Sequence, residues 1–334
     1  MTPSLEHLSQ LLLVGFNGPA PDESVCRFLE STPPAGIILF RQNIVSQVEL
    51  RDTLREIQQR CARPGRPPLL VAIDQEGGRV VRLTGDVGFP TFPSAAVMSN
   101  SPAAEQMVRD AASRTATGLQ ALGINMNCAP VLDVVTDPAN RVIGDRSYGS
   151  DPSVVEELGL AAISATQNMR VAAVAKHFPG HGATAVDSHF DLPVIMLGRS
   201  EMDAIHLPPF RSAAHAGVAA IMTAHAHYPK LDPEFPSTLS RRILTGVLRD
   251  EWGYEGVIVT DSLTMGAIGR RQPIPGACVA SLAAGADLLL IPGSPPLYRQ
   301  CLDAIAQAVE EERIPRDQIE KALARVLRLR SWVG

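Results

Sequence analysis

Short apolar runs recur along the whole chain: LLLVGF (11–16), AGIILF (35–40), LLVAID (69–74), INMNCAPVLD (124–133), VAAVAKHF (171–178), VAAIMTAH (218–225), GVIVTD (256–261) and ADLLLI (286–291). Most are apolar at successive positions rather than alternating, as parallel strands covered on both faces are. Between many of them lie segments with helical character, among them SQVELRDTLREIQQRC, AAEQMVRDAASRTATGLQAL, RRILTGVLRDEW and PLYRQCLDAIAQAVEEE. No Gly/Ser linker or break in composition divides the chain. Eight strand–helix alternations predict an α/β fold of the (β/α)8 TIM-like barrel type, as one domain over residues 1–334. The same alternation also permits an open doubly wound sheet. A barrel needs about 250 residues, and the excess falls in four long connections: 75–102, 134–152, 179–200 and 226–239.

Several runs end on polar residues. Asp74 closes the third, Lys176 and His177 the fifth, His225 the sixth and Asp261 the seventh. In a barrel these C-terminal strand ends converge on one face, where active sites are built. Packing alone does not account for five such residues, because an unpaired buried charge costs several kcal/mol or changes its protonation state. The pattern therefore points to an enzyme.

Composition narrows the class. The 334 residues are 45% apolar and 19% charged, enough to fill a large core. A net charge of −5, with no basic run interleaved with aromatics, argues against a nucleic-acid partner. Five scattered cysteines without a CxxC pair read as reduced thiols rather than disulfides or zinc ligands. The N-terminal MTPSLEHLSQLLLVGF lacks a basic leader region, and its apolar part is too short to span a membrane. The expectation is a soluble cytoplasmic protein with no membrane partner.

The densest chemistry lies in KHFPGHGATAVDSH (176–189), which holds three histidines, a lysine and an aspartate. Two readings compete. In the first, His177, His181 and His189, with the HxH pair His225 and His227, ligate zinc or manganese as in a metal-dependent barrel hydrolase. Against it, Pro179 and Gly180 break the helix that would align His177 with His181, and alternation along a strand turns one HxH member away. In the second reading no metal or other cofactor takes part. Asp261 projects from its strand end as nucleophile or electrostatic stabiliser, and His189 moves the proton with Asp187 orienting its ring. Spacing alone leaves open that Asp187 merely caps a turn and that His189 sits at the surface.

KHFPGHGATAVDSH resembles the signature loop of the β-N-acetylhexosaminidases of glycoside hydrolase family 3, in which KHFPGHG precedes a D-S-H dyad. AIDQEGGRVVRL (72–83), NMNCAPVLDVVTDPANRVIGDRSYGSDP (125–152), MTAHAHYPKLDP (222–233) and VIVTDSLTMGAI (257–268) resemble further family blocks in the right order. The resemblance implies a TIM-like catalytic barrel acting on N-acetylglucosaminides. It makes Asp261 the nucleophile, His189 the general acid/base and Asp187 its dyad partner. Asp74, Arg82, Arg146, Lys176 and His177 match positions that hold the N-acetylglucosamine in the −1 subsite.

The expected activity is a retaining exo-β-N-acetylglucosaminidase that acts on small carbohydrates, either disaccharides derived from muropeptides or fragments of the chitin type. A histidine acid/base repels an anionic acceptor less than a carboxylate does, so phosphorolysis by a member of the same family is an alternative, beside the metal-dependent hydrolase. A sugar-binding protein that has lost catalysis has no need of Asp187, His189 and Asp261 together. Glu76, before Gly77 and Gly78, reads as structural. His181 reads as a loop anchor, His225 and His227 as supports of the pocket floor, and Met98, Met126 and Met222 as core filling. Ser262 stands where many relatives have a second aspartate. After the last helical run, LARVLRLRSWV, the expectation is that the second α/β domain of many family members is not part of this protein. Activity is therefore expected from the barrel and its own loops, as in the compact bacterial type that trims cell-wall fragments.

Overall fold

A computed structural model describes residues 3–184, 186–188 and 190–334. The eight apolar runs form eight parallel strands: β1 (Leu12–Val14), β2 (Gly36–Leu39), β3 (Leu70–Ile73), β4 (Met126–Asn127), β5 (Ala172–Phe178), β6 (Ala220–Thr223), β7 (Val257–Thr260) and β8 (Leu289–Ile291). Each pairs with its neighbour in sequence, β1 also pairs with β8, and a parallel bridge from Val259 to Leu288 joins β7 to β8. The sheet therefore closes on itself, as a barrel does and an open doubly wound sheet does not.

The helices follow the strands in turn: α1 (Glu23–Ser31), α2 (Gln47–Cys61), α3 (Ala104–Ala121), α4 (Pro152–Asn168), α5 (Pro208–His215), α6 (Arg242–Glu251), α7 (Ile274–Ala284) and α8 (Pro295–Glu310). Their starts carry the expected caps. The Asp22 carboxylate accepts from Val25 N at 2.9 Å, and Asp151 accepts from Ser153 N at 2.9 Å just before Pro152 opens α4. A final helix, α9 (Arg316–Val333), packs at the opposite end of the barrel from the strand C-termini, where Arg330 Nε donates to Pro68 O at 2.9 Å.

Strand parity divides the core. Leu13, Ile38, Leu70, Ala72, Val174, Met222, Val257 and Val259 face the barrel interior. Leu12, Val14, Ile37, Leu39, Val71, Ile73, Ile221 and Ile258 face the surrounding helices. Both sets are buried, which is why the runs read as continuously apolar. Each fully buried aliphatic side chain contributes about 1.5–3 kcal/mol. β4 is shorter than the run 124–133 implied. Pro130 has no N–H to give to the ladder, and strand-like contact resumes beyond it, where Leu132 N donates to Lys176 O at 2.6 Å.

Candidate active site

Parity carries three charged residues into the barrel mouth. After the inward-facing Leu70 and Ala72, the next inward position on β3 is Asp74. After Ala172 and Val174 on β5 it is Lys176, and after Val257 and Val259 on β7 it is Asp261. His177 would point away in a regular strand, but the β5–β6 register shifts between Ala175 and Phe178, and His177 also faces the mouth. Asp74, Arg82, Arg146, Lys176, His177, Asp187 and Asp261 all line one cleft of about 440 Å³. His189 lies outside the described residues.

The loop after β3 brings Arg82 back over Asp74. Gly77 and Gly78 turn with positive φ (99° and 55°), and a Cβ on Gly78 would stand 2.6 Å from that of Ser94. Gln75 pins the returning segment: its side-chain oxygen accepts from the N–H groups of Arg82 and Leu83, each at 3.0 Å. Arg82 Nη2 then donates to Asp74 Oδ2 at 3.0 Å.

Across the cleft floor Lys176 Nζ lies 2.8 Å from Asp74 Oδ1 and 2.7 Å from Glu76 Oε1. Arg146 grips Glu76 with two bonds of 2.8 Å, the fork geometry of a guanidinium on a carboxylate. Burial alone would push the Asp74 and Glu76 carboxyls up. Lys176 with Arg82, and Lys176 with Arg146, instead hold them below their ordinary values. Burial would lower the Lys176 ammonium, and the two carboxylates raise it. Asp74, Glu76, Lys176 and Arg146 thus stay charged, as fixed hydrogen-bonding partners for a polar ligand.

A second unit hangs on Asp133, which is fully buried. One of its oxygens accepts from His177 Nδ1 at 2.7 Å and from His177 N at 3.2 Å; the other accepts from His181 N at 2.6 Å. This fixes the Nδ1 proton of His177 and presents Nε2 toward Arg146, whose Nη2 is 3.5 Å away. Burial would raise the Asp133 carboxyl, but His177 and the bonds it accepts hold it low. The 179–182 segment is tied down further by Tyr228, whose hydroxyl donates to Gly180 O at 2.8 Å, and by Asn140, whose Nδ2 donates to His181 O at 2.9 Å. At Gly182 a Cβ would lie 1.8 Å from Val134 O, so only glycine fits.

Asp261 is half-buried, and its Oδ1 accepts from Ser262 N at 2.7 Å. Burial pushes its carboxyl up, but His225, His177 and the Ser262 N–H more than offset this and keep it below the usual carboxylate range. His225 does not line the cleft. Buried beneath it, His225 has Nδ1 at 2.7 Å from Thr238 Oγ1 and Nε2 at 2.9 Å from Ser262 O, bracing the residue next to Asp261. His227 Nε2 donates to Asp232 O at 3.0 Å. His225 thus braces the floor beside Asp261, while His227 is half-buried and does not line the cleft. Among the described residues no group of three or more His, Cys, Asp or Glu side chains is arranged to hold a metal ion.

Sequence reasoning passed over some of this. Asp133 closes the fourth apolar run and meets the strand-end criterion that selected Asp74 and Asp261. Met222 fills the core, as its apolar run implies, and is also the inward residue at the top of β6, where it lines the cleft. Arg79 and Arg141 line it too, and no spacing signal marks them.

Residues 5–329 match the model of the family described as glycosyl hydrolase family 3 N terminal domain. The chain is 37% identical over 292 residues to a β-hexosaminidase of Alkalilimnicola ehrlichii, covering 85% of this chain and 81% of that one. It is 34% identical over 316 residues to β-hexosaminidase A of Pseudoalteromonas piscicida, covering 89% of this chain but only 53%, about half, of the relative. A solved glycoside hydrolase family 3 β-N-acetylglucosaminidase from a Paenibacillus species superposes with a TM-score of 0.94 at 38% identity, over 100% of this chain and 63% of that one.

Proposed function

The chain belongs to glycosyl hydrolase family 3, and on that premise we propose that it is a retaining exo-β-N-acetylglucosaminidase that releases terminal N-acetylglucosamine from peptidoglycan-derived fragments. The observation that carries this reading is the placement of Asp261, kept ionised, across a cleft from the paired charges of Asp74, Lys176, Glu76 and Arg146. Pyranose hydroxyls need converging donors and acceptors, and a sugar that gains positive charge in the transition state needs an anion beside its anomeric carbon. The relatives named β-hexosaminidase and β-N-acetylglucosaminidase support the choice of sugar.

In this mechanism Asp74, Arg82, Arg146, Lys176 and His177 hold the sugar in the −1 subsite. The Asp261 carboxylate attacks C1 while His189, oriented by Asp187, gives its proton to the departing glycosidic oxygen. The C1–O bond breaks and a glycosyl ester forms on Asp261. His189, now neutral, takes a proton from water, whose oxygen attacks C1 and frees Asp261. Two displacements restore the β configuration.

The reading also takes residues 1–334 as one catalytic domain that works in the cytoplasm, without metal, other cofactor, nucleic acid or membrane partner. Among the described residues no helix is long and apolar enough to cross a membrane. Proton NMR of the sugar first released from an aryl N-acetyl-β-glucosaminide tests the proposal. Initial β-anomer supports it; initial α-anomer overturns the double displacement.

A further inference from the structure

Most guanidinium groups in the cleft are already bound. Arg82 pairs with Asp74, Arg146 with Glu76 and Arg79 with Asp145. Arg141 lines the same cleft and is exposed, and its guanidinium has no hydrogen bond or ion pair among the described residues. Its backbone, in contrast, is fixed. Arg79 Nη2 donates to the carbonyls of Arg141 at 2.9 Å and Val142 at 2.8 Å. On the other side Asn140 Oδ1 accepts from Ile143 N at 2.9 Å, while its Nδ2 reaches His181 O at 2.9 Å. The segment is thus held between Arg79 and the 179–182 segment and offers an unused cation to the cleft.

The position of that cation says which part of a ligand it meets. Lys176 and Glu76, on the floor, are almost wholly buried, with side chains 2% and 7% exposed. Arg141 is exposed, at the rim. In an exo-acting enzyme the terminal sugar fills the closed end and the leaving group passes out over the rim. Resting on the glycosidase reading above, we infer that Arg141 is a specificity-determining residue that takes a carboxylate carried by the aglycone. A guanidinium matches a carboxylate through two parallel N–H bonds, and a backbone fixed in advance reduces the ordering cost. Solvent screens an exposed pair, so the expected gain is about 5- to 10-fold in kcat/KM.

The test uses the full chain and two disaccharides: N-acetylglucosamine β-linked to N-acetylmuramic acid, and the same compound with its lactyl carboxylate converted to the methyl ester. The expected acid-to-ester ratio of kcat/KM is about 5 to 10 in the wild type, expressed mainly through KM. It falls to near 1 in Arg141→Gln, is partly kept in Arg141→Lys, and shrinks as salt rises from about 0.05 to 0.5 M. A wild-type ratio near 1, or a ratio that survives in Arg141→Gln, overturns the inference. Turnover of neither compound by the wild type sinks the glycosidase reading itself, and the inference with it. Acceleration of ester turnover by inorganic phosphate in the wild type but not in Arg141→Gln would reassign the guanidinium to the attacking acceptor, and would also overturn it.

Discussion

Lys176 Nζ donates to Asp74 Oδ1 at 2.8 Å, joining the end of β5 to the end of β3 across the barrel mouth. The same ammonium touches Glu76 at 2.7 Å, so one cation is shared by two carboxylates. Lys176→Met keeps much of the volume and removes the charge. It leaves Asp74 with Arg82 and Glu76 with Arg146, each pair short of a partner. Removing one member of a buried ionic cluster costs about 3–5 kcal/mol. Urea denaturation measures this, and a loss below about 1 kcal/mol would mean the cluster is already satisfied without the lysine.

Asp133→Asn separates anchoring from volume. The Asp133 carboxylate accepts from three N–H groups, of His177 and His181. An amide presents donors to some of those donors and no longer favours the Nδ1 proton of His177. A fall of roughly 10- to 100-fold in kcat/KM is expected, the scale of a lost hydrogen bond to a charged group, about 1.5–3 kcal/mol. Steady-state kinetics on an aryl N-acetyl-β-glucosaminide checks it; unchanged kinetics would show that the His177 orientation is held by other means.

Stability should fall on both sides of neutrality. The Asp74, Glu76 and Asp133 carboxyls are held low in the fold. Their contribution is present above about pH 4, the unfolded range, and is lost as pH falls through the folded values. Lys176 is held high, so its contribution persists below about pH 10.4 and is lost as pH rises through its folded value. His206 is buried, neither ring nitrogen has a hydrogen bond among the described residues, and burial lowers its pKa. Its neutral form stabilises the fold above about pH 6.5 and is lost as pH falls toward the folded value. His206→Leu should therefore flatten the decline in Tm just below that pH; an unchanged slope would assign the decline elsewhere.

Much of this was legible in the sequence because parity along buried strands is a strong constraint. The runs at 69–74, 171–178 and 256–261 gave β3, β5 and β7, and the first polar residue on the inward face of each, Asp74, Lys176 and Asp261, sits in the cleft. Three things were not legible. The pairing of Glu76 with Arg146 spans 70 residues, and nothing local to either encodes it. The inward turn of His177 comes from a register shift between strands, which depends on the partner strand as much as on β5. The short ladder of β4 follows from Pro130 inside a run whose apolar pattern continues unbroken. The roles of His189 and Asp187 rest on motif resemblance; Asp187 lines the cleft, and His189 is outside the described residues.

A chelator should leave turnover unchanged within about twofold. Of the histidines that a metal reading would use as ligands, His225 has both nitrogens in hydrogen bonds, and His177 bonds through Nδ1 to Asp133. Activity assayed after EDTA and desalting, then after adding back zinc or manganese, checks this. Loss with EDTA and recovery with metal would restore the hydrolase reading that those histidines first suggested.

In the double displacement proposed above, Asp261 bonds covalently to the sugar. Incubation with a 5-fluoro N-acetylglucosaminyl fluoride, followed by intact mass and peptide mapping, tests it most directly, because such a reagent forms the glycosyl-enzyme quickly and releases it slowly. A single sugar adduct on the peptide VIVTDSLTM, at Asp261, is the predicted result. Fluoride release with no adduct, or an adduct on another carboxylate such as Glu76 or Asp74, would contradict the account.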